Sequence, residues 1–433
     1  MTRIGALRKG GYRILIANVG ARLAALGALA LGTLLVARTG GAAAVGIYAL
    51  LRVVPGLVGV VVSSGLPGAV TFFLAGPRAD DRRLPLTVVA IALIGGIAGT
   101  VLWAAFSPLV GPHLFPGLSL GLVLLGGTTV LTQLLVATAK SCSQGSDDLP
   151  GANLVIVNEE LLFLPAYGAL WLLGADGYAA VVIGLLAADV GSFAWGWARL
   201  ARRGFFRAAT RPGYRLAREI AVYGMRQQVG GVMTLLNLRL DFILLNLLAG
   251  PAVLGVYAIA SKFAELLKIP GMALTYVLYP QYAKDGLAKA STKARRLMPK
   301  AAMITGGLAL PLIPLTPLII PLAYGADFKG AIVPAQIIIL GLVLDGLGGV
   351  ITGYLYGVGR PGLNSWAMGV GLAVTVILDV ALIPPYGATG AAIASAVAYV
   401  TSTLALIWFY FWLGRTEPVH TWTASKLSEA DAQ

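Results

Sequence analysis

The sequence predicts an all-α polytopic membrane protein, with twelve transmembrane helices in two six-helix lobes related by a parallel pseudo-twofold repeat around a central cavity. Composition is the first reason: hydrophobic residues make up 58% of the 433, charged residues 12%, and the mean hydropathy is +0.84, far from the values of soluble domains. The second is that apolar runs long enough to cross a hydrocarbon core of ~30 Å as helices recur along the chain, and twelve can be counted. The third is internal repetition. Gly46 and Tyr48 recur as Gly255 and Tyr257, Pro150-Gly151-Ala152-Asn153 as Pro361-Gly362-Leu363-Asn364, and Gly174-Ala175-Asp176-Gly177 as Gly387-Ala388-Thr389-Gly390, at offsets of 209, 211 and 213. Equivalent spans stand six apart, an even number, so the halves share one orientation. Parallel repeats of this kind place a transported substrate between the halves near the midplane.

The net charge of +14 is a topology signal and not a nucleic-acid footprint. With the N-terminus inside, 24 of the 32 Lys and Arg fall on the cytoplasmic side, only Arg38 and Lys329 lie outside, and six sit within spans, as the positive-inside rule requires. Both termini are therefore expected in the cytoplasm and the chain in a bacterial cytoplasmic membrane. The expected divisions are an N-terminal lobe over 1–203, a basic linker over 204–217, a C-terminal lobe over 218–414 and a tail over 415–433. The inner segment 199–218 carries seven arginines; basic segments of this kind commonly meet anionic lipid, and it reads most simply as a topology anchor. Cys142 is the only cysteine, which excludes an intrachain disulfide and a thiolate metal cluster.

Charges inside the spans carry the functional reading. Span 1 aligns Asn18, Arg22, Ala25, Leu29 and Thr33 on one face, with Arg22 about 15 Å from Tyr12 along the helix, at mid-bilayer. Span 2 carries Tyr48, Arg52, Pro55, Gly59 and Ser63 in a matching stripe. A guanidinium at that depth costs at least ~2.5 kcal/mol and faces a bundle interior or a watery cavity. No acidic residue lies in the cores of spans 1 to 4, so both arginines are expected without an internal partner, and Glu160 is placed near the inner end of span 5. Asp189 is the mid-membrane acid of span 6.

In the second half, span 7 aligns Arg226, Gly230, Thr234, Asn237 and Asp241 in a stripe expected to face water, with Arg239 on the other side, snorkelling outward. Span 8 places Tyr257, Ser261, Glu265, Lys268 and Thr275 on one face and Lys262 about 100° away. Glu265 and Lys268, at i and i+3, either neutralise each other or serve transport. Asp345 lies deep in span 10, whereas Asp379 reads as ordinary outer interface.

The run Leu240-Asp241-Phe242-Ile243-Leu244-Leu245, with Gly255-Val256-Tyr257 and the stretch from Leu382 to Ala394, resembles the polysaccharide-transport branch of the multidrug/oligosaccharidyl-lipid/polysaccharide flippase superfamily. The resemblance implies two six-helix lobes and movement of isoprenoid-diphosphate-linked saccharides to the outer leaflet. Lipid II flippases of the superfamily carry cavity arginines on spans 1, 2 and 8. That pattern maps onto Arg22 and Arg52, while span 8 offers Lys262 and Lys268. No acid follows Arg22, and two further C-terminal spans are missing, so lipid II is not the first choice of cargo.

The expected substrate-binding residues are thus Arg22, Arg52, Arg226, Lys262, Lys268, Asn18 and Asn237. Glu265, Asp345 and Asp241 are the candidates for ion coupling. Guanidinium suits a diphosphate because its planar fork donates in pairs and keeps its charge. The alternative is drug efflux on the same fold. A membrane glycosyltransferase or polymerase fits poorly, since the outer loops are short and no nucleotide or metal motif occurs. The expectation is a monomeric transporter and not an enzyme. It needs no cofactor, and its partners are membrane lipid, the lipid-linked saccharide and polysaccharide assembly machinery.

Overall fold

The computed structural model describes residues 2–76 and 78–416, without the side chains of 2–16, 19, 226, 227, 229–231, 233–235, 237, 238, 280, 286, 415 and 416. Among the described residues every regular element is helical. The chain divides into two compact units, Met1–Leu235 with Gly250–Gly255, and Leu236–Ala249 with Val256–Gln433.

The first unit opens with α1 (Thr2–Ser63), which breaks at Gly41, where φ is 72° and ψ −171°. Only glycine adopts that backbone without strain, and the break lets one apolar stretch become two helices. Gly65, at φ 71°, turns the chain into α2 (Leu66–Ala75). There follow α3 (Leu84–Leu114), α4 (Leu120–Gly127), α5 (Thr129–Gly145), α6 (Leu149–Leu161), α7 (Phe163–Leu172) and α8 (Gly177–Arg202).

Two of these starts are capped as their sequences suggest. Asp176 accepts from the backbone N–H groups of Tyr178 (3.0 Å) and Ala179 (3.4 Å) at the head of α8. Asp148 caps α6 through Gly151 N–H (3.1 Å) and is gripped by both Nε (2.7 Å) and Nη2 (2.9 Å) of Arg199. These Arg199 bonds, with help from the Gly151 N–H, hold the Asp148 carboxyl below its usual range despite its burial.

The remaining helices are α9 (Tyr214–Ala249), α10 (Pro251–Glu265), α11 (Lys268–Tyr324), a 3-10 turn (Ala326–Ala331), α12 (Ile332–Leu342), α13 (Asp345–Gly357) and α14 (Pro361–Thr416). α11 doubles back on itself. Lys293 Nζ donates to Gln281 Oε1 at 2.6 Å and meets Asp285 at 3.3 Å, although twelve residues of straight helix span about 18 Å. α14 breaks at Gly387, where φ is 52°, and Gly174 at φ 80° precedes α8. The third repeated motif therefore places a left-handed glycine at the same point of each half.

The motif glycines show why they are glycines. A Cβ on Gly46 would strike the carbonyl of Pro251, and one on Gly255 would strike the carbonyl of Ala42. Each sits against the backbone four residues before its counterpart, so α1 and α10 touch main chain to main chain, the close approach that small residues permit in membranes.

Among the described residues seven helices are long and apolar enough to cross a membrane, and eight if Ala326–Leu342 and Asp345–Gly357, bent by 43°, form one broken span. This count differs from the twelve runs for two physical reasons. Gly20–Ser63 and Pro361–Gly414 run 44 and 54 residues, more than the ~20 one crossing needs. α9 and α10 carry Arg226, Arg239, Asp241 and Glu265, which lower their apolarity.

Candidate functional site

In the first unit, the site grows from Tyr48 on α1. Its side chain is wholly buried and stacked on Phe163 of α7 with ring centroids 4.8 Å apart. One turn later the Arg52 guanidinium lies over the Tyr48 ring, 5.5 Å from its centroid, and Nη1 donates weakly to the Tyr48 hydroxyl at 3.4 Å. Nη2 forms an ion pair with Oε1 of Glu160.

The expectation of an unpartnered Arg52 is therefore corrected, as is the placing of Glu160 at an inner helix end. Glu160 stands eleven residues past Leu149, the first residue of α6, which is about 16 Å along the helix and deep enough to meet Arg52. Its other oxygen, Oε2, is buried without a hydrogen-bond partner among the described residues. The pair is not sealed, since the side chains of Arg52 and Glu160 keep 22% and 13% of their accessible surface. Nearby, Asp189 of α8 is buried and accepts from the Thr132 hydroxyl at 2.9 Å.

Arg22 is exposed and has no ion pair or hydrogen bond among the described residues, as expected, and Asn18 beside it is half-buried. The side chains of Arg226, Thr234 and Asn237 lie outside the described residues.

The second unit inverts the charge. Asp241 is buried, so the expectation that this residue faces water is corrected; it accepts from the Tyr257 hydroxyl at 2.6 Å and from Phe242 N–H at 2.9 Å. The Tyr257 hydroxyl also shares a hydrogen bond with Ser395 Oγ at 2.8 Å. Close by in charge terms is Asp379, wholly buried, with both carboxylate oxygens lacking a hydrogen-bond partner among the described residues. That overturns its reading as outer interface, because the helices around it close over the position.

Two further expectations change. Arg239 does not snorkel: it pairs with Glu265 at 3.2 Å and lies 5.1 Å from the Phe242 ring centroid. Glu265 thus gives its close ion pair to Arg239 and not to Lys268, whose ammonium sits 4.2 Å from the Tyr399 ring centroid. Asp345 opens α13 just past the bend, half-buried against Gly271, and within electrostatic reach of Lys268. Lys262 is half-buried. Sequence reasoning missed Glu160 as a partner of Arg52 and Asp379 as a buried acid. The first had a signal in its distance along α6, whereas the second had none. No group of three or more His, Cys, Asp or Glu able to hold a metal occurs among the described residues.

Comparison with known proteins agrees with this architecture. The family described as "Polysaccharide biosynthesis protein" matches residues 7–285, more than half of the chain. The probable low-salt glycan biosynthesis flippase Agl15 of Haloferax volcanii is 21% identical over 414 residues, covering 92% of this chain and 82% of that protein. An uncharacterized membrane protein of Methanocaldococcus jannaschii is 25% identical over 200 residues, a match spanning 45% of this chain and only 39% of the relative's length. Among solved structures, an inward-facing multidrug resistance MATE family transporter of the MOP superfamily superposes with a TM-score of 0.73 at 16% identity, covering 93% of this chain and 99% of that one. The lipid II flippase MurJ in an inward closed conformation gives 0.68 at 16% identity, covering 95% and 94%. At these identities the structures speak for the fold.

Proposed function

Since the chain belongs to the polysaccharide biosynthesis protein family and has the fold of MOP-superfamily transporters, we propose that it is a flippase for an isoprenoid-(di)phosphate-linked oligosaccharide. It carries this substrate from the inner to the outer leaflet of the cytoplasmic membrane by alternating access, as a monomer serving cell-surface polysaccharide synthesis. The observation that carries the reading is the pair of cations on α1, where Arg22 is exposed and unpaired among the described residues and Arg52 lies over the Tyr48 ring with part of its surface open. A diphosphate needs such compensation to leave water, and planar guanidinium groups supply it. The name of the Haloferax relative, a glycan biosynthesis flippase, supports the same substrate class.

We retain twelve spans with both ends in the cytoplasm, and lobes over 1–203 and 218–414 joined by the basic linker 204–217. Arg226, Asn237, Lys262, Lys268 and Asn18 are proposed as further substrate contacts. Asp241, with Asp345 and Glu265, is proposed to couple transport to a cation.

A second reading, efflux of organic cations, draws on the buried acids of the second unit and on the MATE-type fold. One experiment separates the two. The double variant Arg22→Ala/Arg52→Ala is reconstituted in proteoliposomes beside the parent protein, with the amount inserted measured in parallel. Loss of lipid-linked oligosaccharide flipping with drug transport unchanged supports the flippase. Undiminished flipping overturns the anion site and leaves efflux as the function.

A further inference from the structure

We propose that Glu160 is an internal counter-anion, holding Arg52 when the site is empty and yielding it to the substrate's phosphate, so that it sets both the affinity and the charge threshold for binding. This deepens the flippase reading and rests on Arg52 being an anion contact.

The geometry of the pair carries the inference. A guanidinium engages an oxyanion best through two parallel N–H···O bonds. Glu160 uses only Oε1, bonded to Nη2, and its Oε2 is left buried without a partner among the described residues. The second nitrogen, Nη1, makes only the 3.4 Å contact to the Tyr48 hydroxyl. Tyr48 is itself fixed by the Phe163 stack, so the cation is held in place independently of the carboxylate. A phosphate that replaces Glu160 gains the bidentate geometry that Glu160 does not achieve, while the Tyr48 ring still lies beneath the guanidinium.

The surroundings make the exchange selective. Glu159 adjoins Glu160 on α6, Asp189 faces the same region from α8, and Lys140 from α5 offsets Glu159. A carboxylate expelled from Arg52 returns to a neighbourhood that already holds acids, which raises the cost of displacement. Weak or singly charged headgroups, such as those of bulk phospholipids, fail to displace it, whereas a diphosphate succeeds.

The test uses purified full-length protein and farnesyl diphosphate as the probe, with binding measured by calorimetry, thermal stability recorded for every variant, and dioleoylphosphatidylglycerol as the competitor. The expected result is that Glu160→Gln binds the probe roughly tenfold more tightly than the parent, a change of about 1.4 kcal/mol, and becomes sensitive to the competitor. Arg52→Ala abolishes the gain when combined with Glu160→Gln. Glu160→Asp, which keeps the charge but shortens the reach, is expected to bind with intermediate affinity. Equal affinity in parent and Glu160→Gln overturns the counter-anion role while leaving the anion site intact. Absence of probe binding in every protein, including the parent, overturns the anion site itself. If neither Glu160→Gln nor Glu160→Asp accumulates as folded protein, Glu160 is a structural partner of Arg52 and the proposal falls.

Discussion

Tyr48 and Tyr257 occupy the same place in the two repeats and are both wholly buried, yet they hold opposite charges. The first lies under the Arg52 guanidinium and touches it through its ring and a long 3.4 Å hydrogen bond; the second donates a 2.6 Å hydrogen bond to the Asp241 carboxylate. The cation of the first repeat keeps an open edge, whereas the acid of the second is closed off and neighboured by another buried acid, Asp379. The two repeats thus set the same tyrosine against a guanidinium in one and against a carboxylate in the other. The tyrosine is the common fixture because one side chain offers both a π face for cations and a hydroxyl for carboxylates.

The comparison breaks most visibly at Arg52. Arg52→Ala strands Glu160 as a largely buried charge, so it is expected to cost about 3–5 kcal/mol and to abolish transport. Adding Glu160→Gln should restore most of the stability and none of the transport. Chemical denaturation beside a flipping assay reads both, and recovery of transport in the double variant would show that the first repeat needs no cation.

The two motif glycines sharpen the symmetry. Gly46→Ala and Gly255→Ala each drive a methyl into a facing carbonyl, with an expected loss of about 1–3 kcal/mol apiece and similar size, since the collisions mirror each other. A large loss at one and none at the other, in thermal unfolding of the detergent-purified variants, would refute the reciprocity.

Hydroxyl removal separates the two tyrosines. Tyr257→Phe takes the donor from a buried carboxylate and should cost about 1–3 kcal/mol, while Tyr48→Phe keeps the ring under Arg52 and gives up a long 3.4 Å contact to it, so its cost should be the smaller of the two. Equal melting shifts would mean that Tyr48 works through its hydroxyl after all.

A further modest effect lies away from the two tyrosines, at Asp148, the N-cap of α6. Its folded-state carboxyl titrates below the ordinary value because Arg199 bonds the ionised form. Its stabilisation is fully present above about pH 4, the unfolded value, and is lost as pH falls through the lowered folded value. Asp148→Asn should cost about 1 kcal/mol near neutrality and flatten the loss of melting temperature below pH 4. An unchanged acid limb would remove Asp148 from the explanation.

Much of this was legible before any coordinates. The helical class, the repeats and the helix starts or breaks at the repeated motifs follow from local chemistry, which a single chain displays. So does the presence of cations at depth on α1. The partners of those charges were harder to read, because they depend on which helix lies against which. Glu160 could have been found by counting 1.5 Å per residue along α6, but its choice of Arg52 required the packing of α6 on α1. Asp379 gave no sign, since the mainly apolar run around it looks the same whether a carboxylate faces lipid, water or a closed interior. Arg239 was misjudged for a related reason: snorkelling is the default for a lone cation near a helix end, and Glu265 on the next helix removes the need.

The meeting of Gly46 with the Pro251 carbonyl and of Gly255 with the Ala42 carbonyl has the form of an isologous contact, in which patch i touches j and j touches i. Such contacts ordinarily join two copies of one polypeptide. Here both partners lie on one chain and within its first compact unit, so the reciprocal approach is made inside a single polypeptide. Each repeat is thereby free to change its charged residues without a matching change being forced on the other, and Arg52 and Asp241 are what that freedom has produced.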